Sequence, residues 1–167
     1  MNIFVLSKDP AQAARMMCDK HVVKMVLEST QMLCTAHHHH LKGQASKKLY
    51  KPAYANHPCT VWARQTSANY NWLLRHAAAL CSEYLVRYGK VHASSKLIGG
   101  VLQSNPCPVG KRTPFAQAMP KHLKSDDPVM AYRRYYKWKN ANAFIMQWRT
   151  PRTVPQFFSK GTNDESY

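Results

Sequence analysis

The segment SANYNWLLRHAAALCSEYLVRYG, residues 67–89, is the part of the chain that specifies a fold most clearly. Its apolar residues recur at steps of three and four, the period of one face of an α-helix. This face consists of Tyr70, Leu73, Leu74, Ala77, Leu80, Cys81, Tyr84 and Leu85. Ser67 is a candidate N-cap, and Gly89 is a candidate helix stop. We therefore predict that a helix from Ser67 to Tyr88 forms the centre of the domain.

Proline and capping residues predict further helices on both sides of this segment. Asp9-Pro10 and Asp127-Pro128 each place a capping carboxylate before a proline at the first helical position. They predict helices that end at Met17 and near Asn140. Pro58 opens another predicted helix, which ends at Gln65.

The remaining segments follow from apolar spacing and from helix breakers. Apolar residues at helical spacing predict a helix over residues 19–37, and a weaker pattern covers residues 91–102. Residues 38–57 read as an exposed loop, and the prolines of residues 105–120 indicate irregular structure. The apolar run at residues 3–6 is too short for a helix and predicts a strand or a buried extended segment.

These elements predict a mostly helical, all-α single domain over residues 1–160, with a short N-terminal extended segment or strand. A chain of 167 residues is long enough for one ordinary hydrophobic core. The acidic, polar residues 161–167 are predicted to form a mobile tail.

The charge of the chain points to a polyanionic partner. Lysine and arginine number 24 against 8 acidic residues, which gives a formal charge of +16. Because such an excess repels itself in the folded state, we expect a nucleic acid partner, and DNA rather than RNA. No run approaches the roughly 18–20 apolar residues of a membrane span, and the first residues lack the order of a signal peptide. A cytoplasmic protein without a membrane partner is expected; nothing in the sequence indicates an oligomeric state.

The histidine run His37–His40 is the one candidate for metal binding. Together with Cys34, it has ligands at helical spacing. Because the sequence offers no outlying ligand, we predict no metal site and no cofactor. The run is instead expected to form a solvated, pH-sensitive loop.

Lys20, Lys24 and Glu28 are predicted to stack one turn apart on a helix, with His21 at its opening turn. A lysine beside another cation has a lowered pKa and can act as a nucleophile, and a nearby carboxylate can handle protons. Such a set suits attack on an anomeric carbon. The alternative is an exposed Lys24–Glu28 pair without chemistry.

Two other segments offer candidate site residues. Asn56 and His57 stand at the mouth of the helix opened by Pro58, where free N–H groups favour an anion. Trp62 and Arg64 could then stack on a base and contact phosphate. The alternative is that Asn56 or His57 is a helix cap and Trp62 is a core residue.

Glu83 and Arg87 lie one turn apart. They form either an intrahelical ion pair or a carboxylate that faces the cavity of the early lysines.

A basic and aromatic helix around residues 132–139 resembles the surfaces that bind distorted or single-stranded nucleic acid. Its rings Tyr132 and Tyr136 are interpreted as core residues. The full set predicted to contact nucleic acid is Asn56, Trp62, Arg64, Arg87, Lys90, Lys111, Arg112, Arg133, Arg134 and Lys137.

Four elements resemble those of small phage and bacterial proteins related to the pyrimidine-dimer DNA glycosylases. They are the D-K-H-x-x-K helix with Glu28 and Gln31, the N-H-P-x-x-x-W element at Asn56 to Trp62, the C-x-E-Y-x-x-R element at Cys81 to Arg87, and T-P-F-A-x-A-M-P at Thr113 to Pro120. The resemblance implies a compact all-α fold and a glycosylase with lyase activity. It also implies an N-terminal amine that forms a Schiff base with the sugar, assisted by a glutamate.

In this chain the resemblance places His21 at the helix position of the family's glutamate, and Asn2 predicts that the initiator methionine is retained. We therefore expect either that another lysine and another acid have taken over the chemistry, or that the scaffold serves a different reaction on nucleotides or modified bases.

The leading hypothesis is a DNA-directed base-excision enzyme that acts at the glycosidic bond of damaged or modified bases. Lys20 or Lys24 would supply the amine, and Glu28 or Glu83 the carboxylate. His21 or His57 would carry the proton. One alternative is a non-catalytic DNA-binding phage protein that modulates host or viral DNA transactions. A transferase that modifies a nucleotide or a base is another.

Overall fold

The fold is that of a computed structural model, which describes residues 1–159. Its helices are α1 (Pro10–Met16), α2 (Asp19–Leu41), α3 (Pro58–Gln65), α4 (Ser67–Tyr88), α5 (Ser95–Ile98), α6 (Pro128–Asn142) and α7 (Gln156–Ser159), with 3₁₀ turns at Val101–Gln103 and Lys121–Leu123. Residues 1–159 contain no β-strand, so the prediction of an all-α fold is confirmed. The predicted mobile tail, residues 161–167, lies outside the described residues.

Helix α4 is the centre of the domain, packed by α1, α2 and α3. Its residues Trp72, Leu73 and Leu80 are fully buried. The helix ends where predicted, because Gly89 adopts a φ of 64° and allows the left-handed cap. The predicted N-cap was one residue off: the side chain of Thr66 accepts the hydrogen bond from the Asn69 N–H.

The histidine run belongs to α2, which continues to Leu41. The prediction that a loop begins at residue 38 is therefore wrong. The ring of His37 shares a hydrogen bond with the Tyr70 hydroxyl at 2.8 Å, and His40 Nε2 lies 2.9 Å from the Arg64 carbonyl. These partners are far away in the sequence, so a local reading of polarity could not find them. The exposed connection is confined to the residues between α2 and α3.

Residues 2–6 form a buried segment. They are not a strand, and residues 1–159 contain no strand with which they could pair. The Asn2 side chain holds this segment in place. Its Nδ2 donates to the Ala118 carbonyl at 2.8 Å, and its Oδ1 accepts from the N–H groups of Ile3 and Phe4. Phe4 has a φ of 35°, in the left-handed region, so the chain bends here and cannot continue as a strand.

A buried ion network joins α2 and α4 to the residues that precede α7. Arg87 donates to Glu83 at 3.0 Å and to Asp19 at 3.1 Å, and Arg152 donates to the second Glu83 oxygen at 2.7 Å. The Arg87 side chain is 0% exposed and that of Glu83 is 4% exposed. Arg87 also donates to the carbonyls of Met17 and Arg15, which ties the end of α1 to this network.

Asn2→Leu is expected to lower the free energy of unfolding by about 1–3 kcal/mol, because three buried polar groups lose their partner. Urea denaturation compared with wild type measures the change. The matched control is Asn142→Leu, at an exposed position near the end of α6, which should change stability by less than about 0.5 kcal/mol. Equal stabilities for both variants would contradict this account of the N-terminal anchor.

Glu83→Ala is expected to destabilise the protein by about 3–5 kcal/mol at pH 7, since it leaves Arg87 buried with one carboxylate fewer. Burial raises the pKa of Glu83, but hydrogen bonds from Arg152 and Arg87 outweigh it and lower the pKa below its usual value. The stabilisation is therefore present above the unfolded pKa of about 4.3 and is lost as pH falls through the lower folded value.

The stabilities of wild type and Glu83→Ala should therefore converge as pH falls below about 4.3 and through the lowered folded pKa of Glu83. Asp126→Ala, at an exposed carboxylate, is the control and should have little effect. A difference between wild type and Glu83→Ala that does not depend on pH would contradict the assigned role of the Glu83 charge.

Candidate active site

The α-amine of Met1 lies against the Glu28 carboxylate. The amine nitrogen is 3.4 Å from Glu28 Oε2, and Lys24 Nζ is 3.2 Å from Oε1. Glu28 therefore stands between two amines, one from the start of the chain and one from the preceding turn of α2. The Glu28 side chain is 11% exposed and that of Lys24 is 65% exposed, so this arrangement opens to solvent on the lysine side.

The burial of residues 2–6 determines where the amine points. The Met1 side chain is only 1% exposed, although the residue as a whole is partly exposed. The accessible atoms of Met1 thus belong to its main chain, which carries the amine. The helical period of α2 places Glu28 on the same face as Lys24, in contact with this amine.

Met1 and Glu28 line a cleft of about 630 Å³ with a largely apolar wall. Val23 and Leu27, half-exposed on α2, contribute to this wall. Tyr54 is 72% exposed and has a φ of 47°, a strained conformation for a residue of this size. The cleft therefore combines an amine and a carboxylate with a surface on which a planar ring could pack.

His57 belongs to the electrostatic surroundings of this pair. It caps α3, with Nδ1 accepting a hydrogen bond from the Cys59 N–H at 3.2 Å. Burial, and then the positive charge of the Met1 amine, lower the pKa of His57, while Glu28 opposes the shift. At pH 7 the ring is therefore neutral, and the hydrogen bond at Nδ1 leaves the ring proton on Nε2.

A second group of cations and rings adjoins the cleft along α2. Lys20 Nζ lies 4.3 Å from the centre of the Phe144 ring, and Lys139 Nζ lies 5.4 Å from that of Tyr135. Burial, followed by the charges of Lys24 and Lys20, lowers the pKa of Lys139. No local sequence signal identifies Lys139 and Phe144 as part of this group, because their approach to α2 is a long-range contact.

The structure corrects the expectation for His21, which does not reach the cleft. The residue is 4% exposed, stacks on Phe4 with ring centres 4.3 Å apart, and shares a hydrogen bond with the Tyr136 hydroxyl at 2.6 Å. Burial, followed by Lys139 and the other nearby lysines, lowers its pKa to about 3. A neutral, buried ring of this kind packs the N-terminal segment and has no access to a substrate.

The carboxylate beside the amine is therefore Glu28, seven residues beyond His21 on α2. An N-terminal amine and a glutamate therefore do lie together in this chain, as the contact between Met1 and Glu28 shows.

Glu83 and Arg87 are likewise removed from the predicted site. Their side chains are buried in the ion network described above, so Glu83 does not face the cavity of the early lysines and Arg87 has no surface for a phosphate. Of the two readings of this pair, the structural ion pair is the one observed.

Trp62 is a core residue and offers no face to a base. It is 3% exposed and packs against Trp72 and Phe115, with ring centres 5.9 and 5.2 Å apart. Arg64 is partly exposed and donates to the Ala55 carbonyl, which braces the loop before α3. Asn56 is exposed beside it.

The other predicted nucleic-acid contacts lie on the surface. Lys90, Lys111, Arg112 and Arg134 are exposed, while Arg133 and Lys137 are partly exposed. Arg112 packs over the Phe115 ring at 5.0 Å. Their contact with nucleic acid stays a prediction.

Within residues 1–159, no three histidine, cysteine or acidic side chains come together in a way that could hold a metal ion. In the same residues, no helix is both long and apolar enough to cross a membrane.

A comparison with protein families relates this geometry to known proteins. The family described as pyrimidine dimer DNA glycosylase matches residues 1–97. These residues include the amine, Glu28 and His57. No curated protein and no solved structure matches significantly. Since the match covers more than half of the 167 residues, the chain belongs to the pyrimidine dimer DNA glycosylase family.

Proposed function

We propose that this protein is a DNA glycosylase with lyase activity on damaged pyrimidines, and that the α-amine of Met1 is its nucleophile. The observation that carries the proposal is the 3.4 Å contact between this amine and Glu28 at an open cleft. Family membership supports the reaction class, and the charge of +16 supports DNA as the substrate.

The first step joins the amine to the sugar. The lone pair of the neutral amine forms a bond to C1′, and the glycosidic bond breaks with its electrons leaving on the base, which takes a proton from water. The amine then loses a proton to the Glu28 carboxylate. As the sugar ring opens, the bond between C1′ and the ring oxygen breaks, and the protonated Glu28 returns this proton to the ring oxygen. The product is a cationic Schiff base close to a Glu28 carboxylate that is ionised again, whose charge stabilises it.

The lyase step follows from the Schiff base. Removal of a proton from C2′ allows the bond between C3′ and its phosphate oxygen to break, and the phosphate leaves with the electron pair. Water then hydrolyses the Schiff base and frees the amine. Glu28 is the carboxylate best placed to accept the C2′ proton, because it already contacts the nitrogen that binds C1′.

The lysines are assigned to DNA contact in preference to nucleophilic attack. Lys24 is 65% exposed and paired with Glu28, and Lys20 lies over the Phe144 ring. Solvent-facing ammonium groups of this kind suit phosphate oxygens. His57 is assigned a hydrogen bond from Nε2–H to the leaving base, and the exposed ring of Tyr54 a packing surface for it.

Borohydride reduction in the presence of a duplex with a pyrimidine dimer or an abasic site is expected to trap a covalent adduct. Peptide mapping should place the sugar on the nitrogen of Met1, and the intact mass should confirm Met1 as the first residue. Lys20→Ala and Lys24→Ala should still give the adduct. A Gly-Ser extension before Met1 should abolish it, since the amine is then displaced from Glu28.

An adduct on Lys20 or Lys24, or one that persists in the extended protein, would disprove the assignment of the α-amine. No adduct with either DNA would argue against a Schiff base altogether.

Glu28→Gln is expected to lower the single-turnover rate of strand cleavage about 10²–10⁴-fold, because the variant keeps the shape of the side chain but cannot accept a proton. Binding of undamaged duplex should change little. Asp126→Asn, an exposed acid outside the cleft, is the matched control. A wild-type cleavage rate for Glu28→Gln would exclude this carboxylate from the reaction.

A further inference from the structure

A second concavity lies between α1, α6 and α7, apart from the cleft at Met1. Its volume is about 580 Å³, and Arg15, Arg133, Arg152 and the ring of Phe157 line it. We call this concavity the arginine pocket. It brings together three guanidinium groups from three separate parts of the chain.

The contacts of these arginines leave donors available. Arg133 uses Nε to reach the Leu6 carbonyl at 3.1 Å, and its guanidinium lies 5.1 Å from the centre of the Phe157 ring. Arg152 directs Nε and Nη2 to Glu83. Both side chains are thus held in place while part of each guanidinium fork stays open to the pocket.

The charges of the pocket do not balance. Among residues 1–159, no ion pair involves Arg15 or Arg133. Glu83, which pairs with Arg152 of the pocket, also pairs with Arg87. Because close guanidinium groups repel each other, this arrangement favours an anion. The planar fork of arginine matches the oxygens of a phosphate group.

Further cations lie between the arginine pocket and the cleft at Met1. Lys139 lies six residues beyond Arg133 on α6, about 9 Å along the helix and about a third of a turn around it. Lys139 in turn lies close enough to Lys24 and Lys20 for their charges to act on it, and Lys24 contacts Glu28. A single polyanionic chain that curves around α6 could therefore contact cations from the amine to the pocket.

From these contacts we infer that the arginine pocket binds a backbone phosphate of the same DNA whose sugar reacts at Met1. This inference rests on the proposed function for the identity of the polyanion. The pocket lies at the Asp19 end of α2, because Arg87 joins Asp19 to Glu83. The nine residues from Asp19 to Glu28 span about 13–14 Å. The bound phosphate is thus about four or more nucleotides from the reacting sugar at about 3.4 Å per nucleotide.

The test is binding of undamaged duplex by the full chain, which requires no catalysis. Arg15→Gln combined with Arg133→Gln is expected to weaken binding of a 20-base-pair duplex about tenfold. The plot of log affinity against log salt concentration has a negative slope, and its magnitude should decrease by about one to two. Arg75→Gln, at an exposed arginine on α4, is the matched control and should bind like wild type. If the double variant lost no more affinity and no more salt dependence than Arg75→Gln, the proposal would be overturned.

Single neutral methylphosphonates along one strand would locate the phosphate. In wild type, a methylphosphonate at one position four or more nucleotides from the lesion should weaken binding. In Arg133→Gln, the methylphosphonate at this position should cause no additional loss of affinity. The same loss at every position in both proteins would overturn the proposal. Arg15→Gln alone, at an exposed side chain, keeps the test valid if Arg133→Gln does not fold.

The outcomes separate this inference from the proposed function. A Schiff base at Met1 with unchanged DNA binding in the arginine variants would overturn the pocket alone. A loss of binding in those variants without any Schiff base would leave the pocket standing and reject the catalytic assignment.

Discussion

The burial of residues 2–6 is the constraint on which the candidate site depends. A free chain terminus ordinarily samples many conformations, and fixing one residue costs about 1–2 kcal/mol in conformational entropy. Here apolar packing and the three hydrogen bonds of the Asn2 side chain offset that cost. The result is an amine held 3.4 Å from Glu28, with the flexibility of the terminus already removed before a substrate arrives. Preorganisation of this kind favours attack at a single carbon atom.

The few acidic residues of this basic chain have separate and recognisable tasks. Asp9 and Asp127 cap α1 and α6 through hydrogen bonds to backbone N–H groups. Asp19 and Glu83 neutralise the buried Arg87, and Glu28 meets the amine. Because these carboxylates are engaged in helix caps and ion pairs, the surface of residues 1–159 carries a large excess of lysine and arginine. This excess suits a partner with many phosphates.

The two halves of the molecule contribute differently to the same surface. Residues 1–97, which the family comparison covers, contain the amine, Glu28 and His57. Residues from α6 onward add Lys139, Phe144 and two arginines of the arginine pocket. The groups proposed to react thus belong to the part of the chain that the family covers, while much of the cationic and aromatic wall beside them comes from outside the matched range. Contacts such as Arg133 with Leu6 join the two parts into one folded unit.

By itself, the sequence determined the helices whose ends are set by local chemistry. Pro58 opens α3, and Gly89 ends α4 because it adopts a left-handed conformation at no steric cost. The sequence also determined that Lys24 and Glu28 would share one helical face, since that follows from the helix period.

Only the tertiary structure decided that Met1 reaches Glu28, that His21 and Trp62 are buried, and that Glu83 binds two arginines. The physical reason is the separation along the sequence over which each kind of interaction acts. Capping and periodicity act over a few residues, whereas the environment of a side chain depends on which distant elements pack against it, and no local pattern encodes that choice.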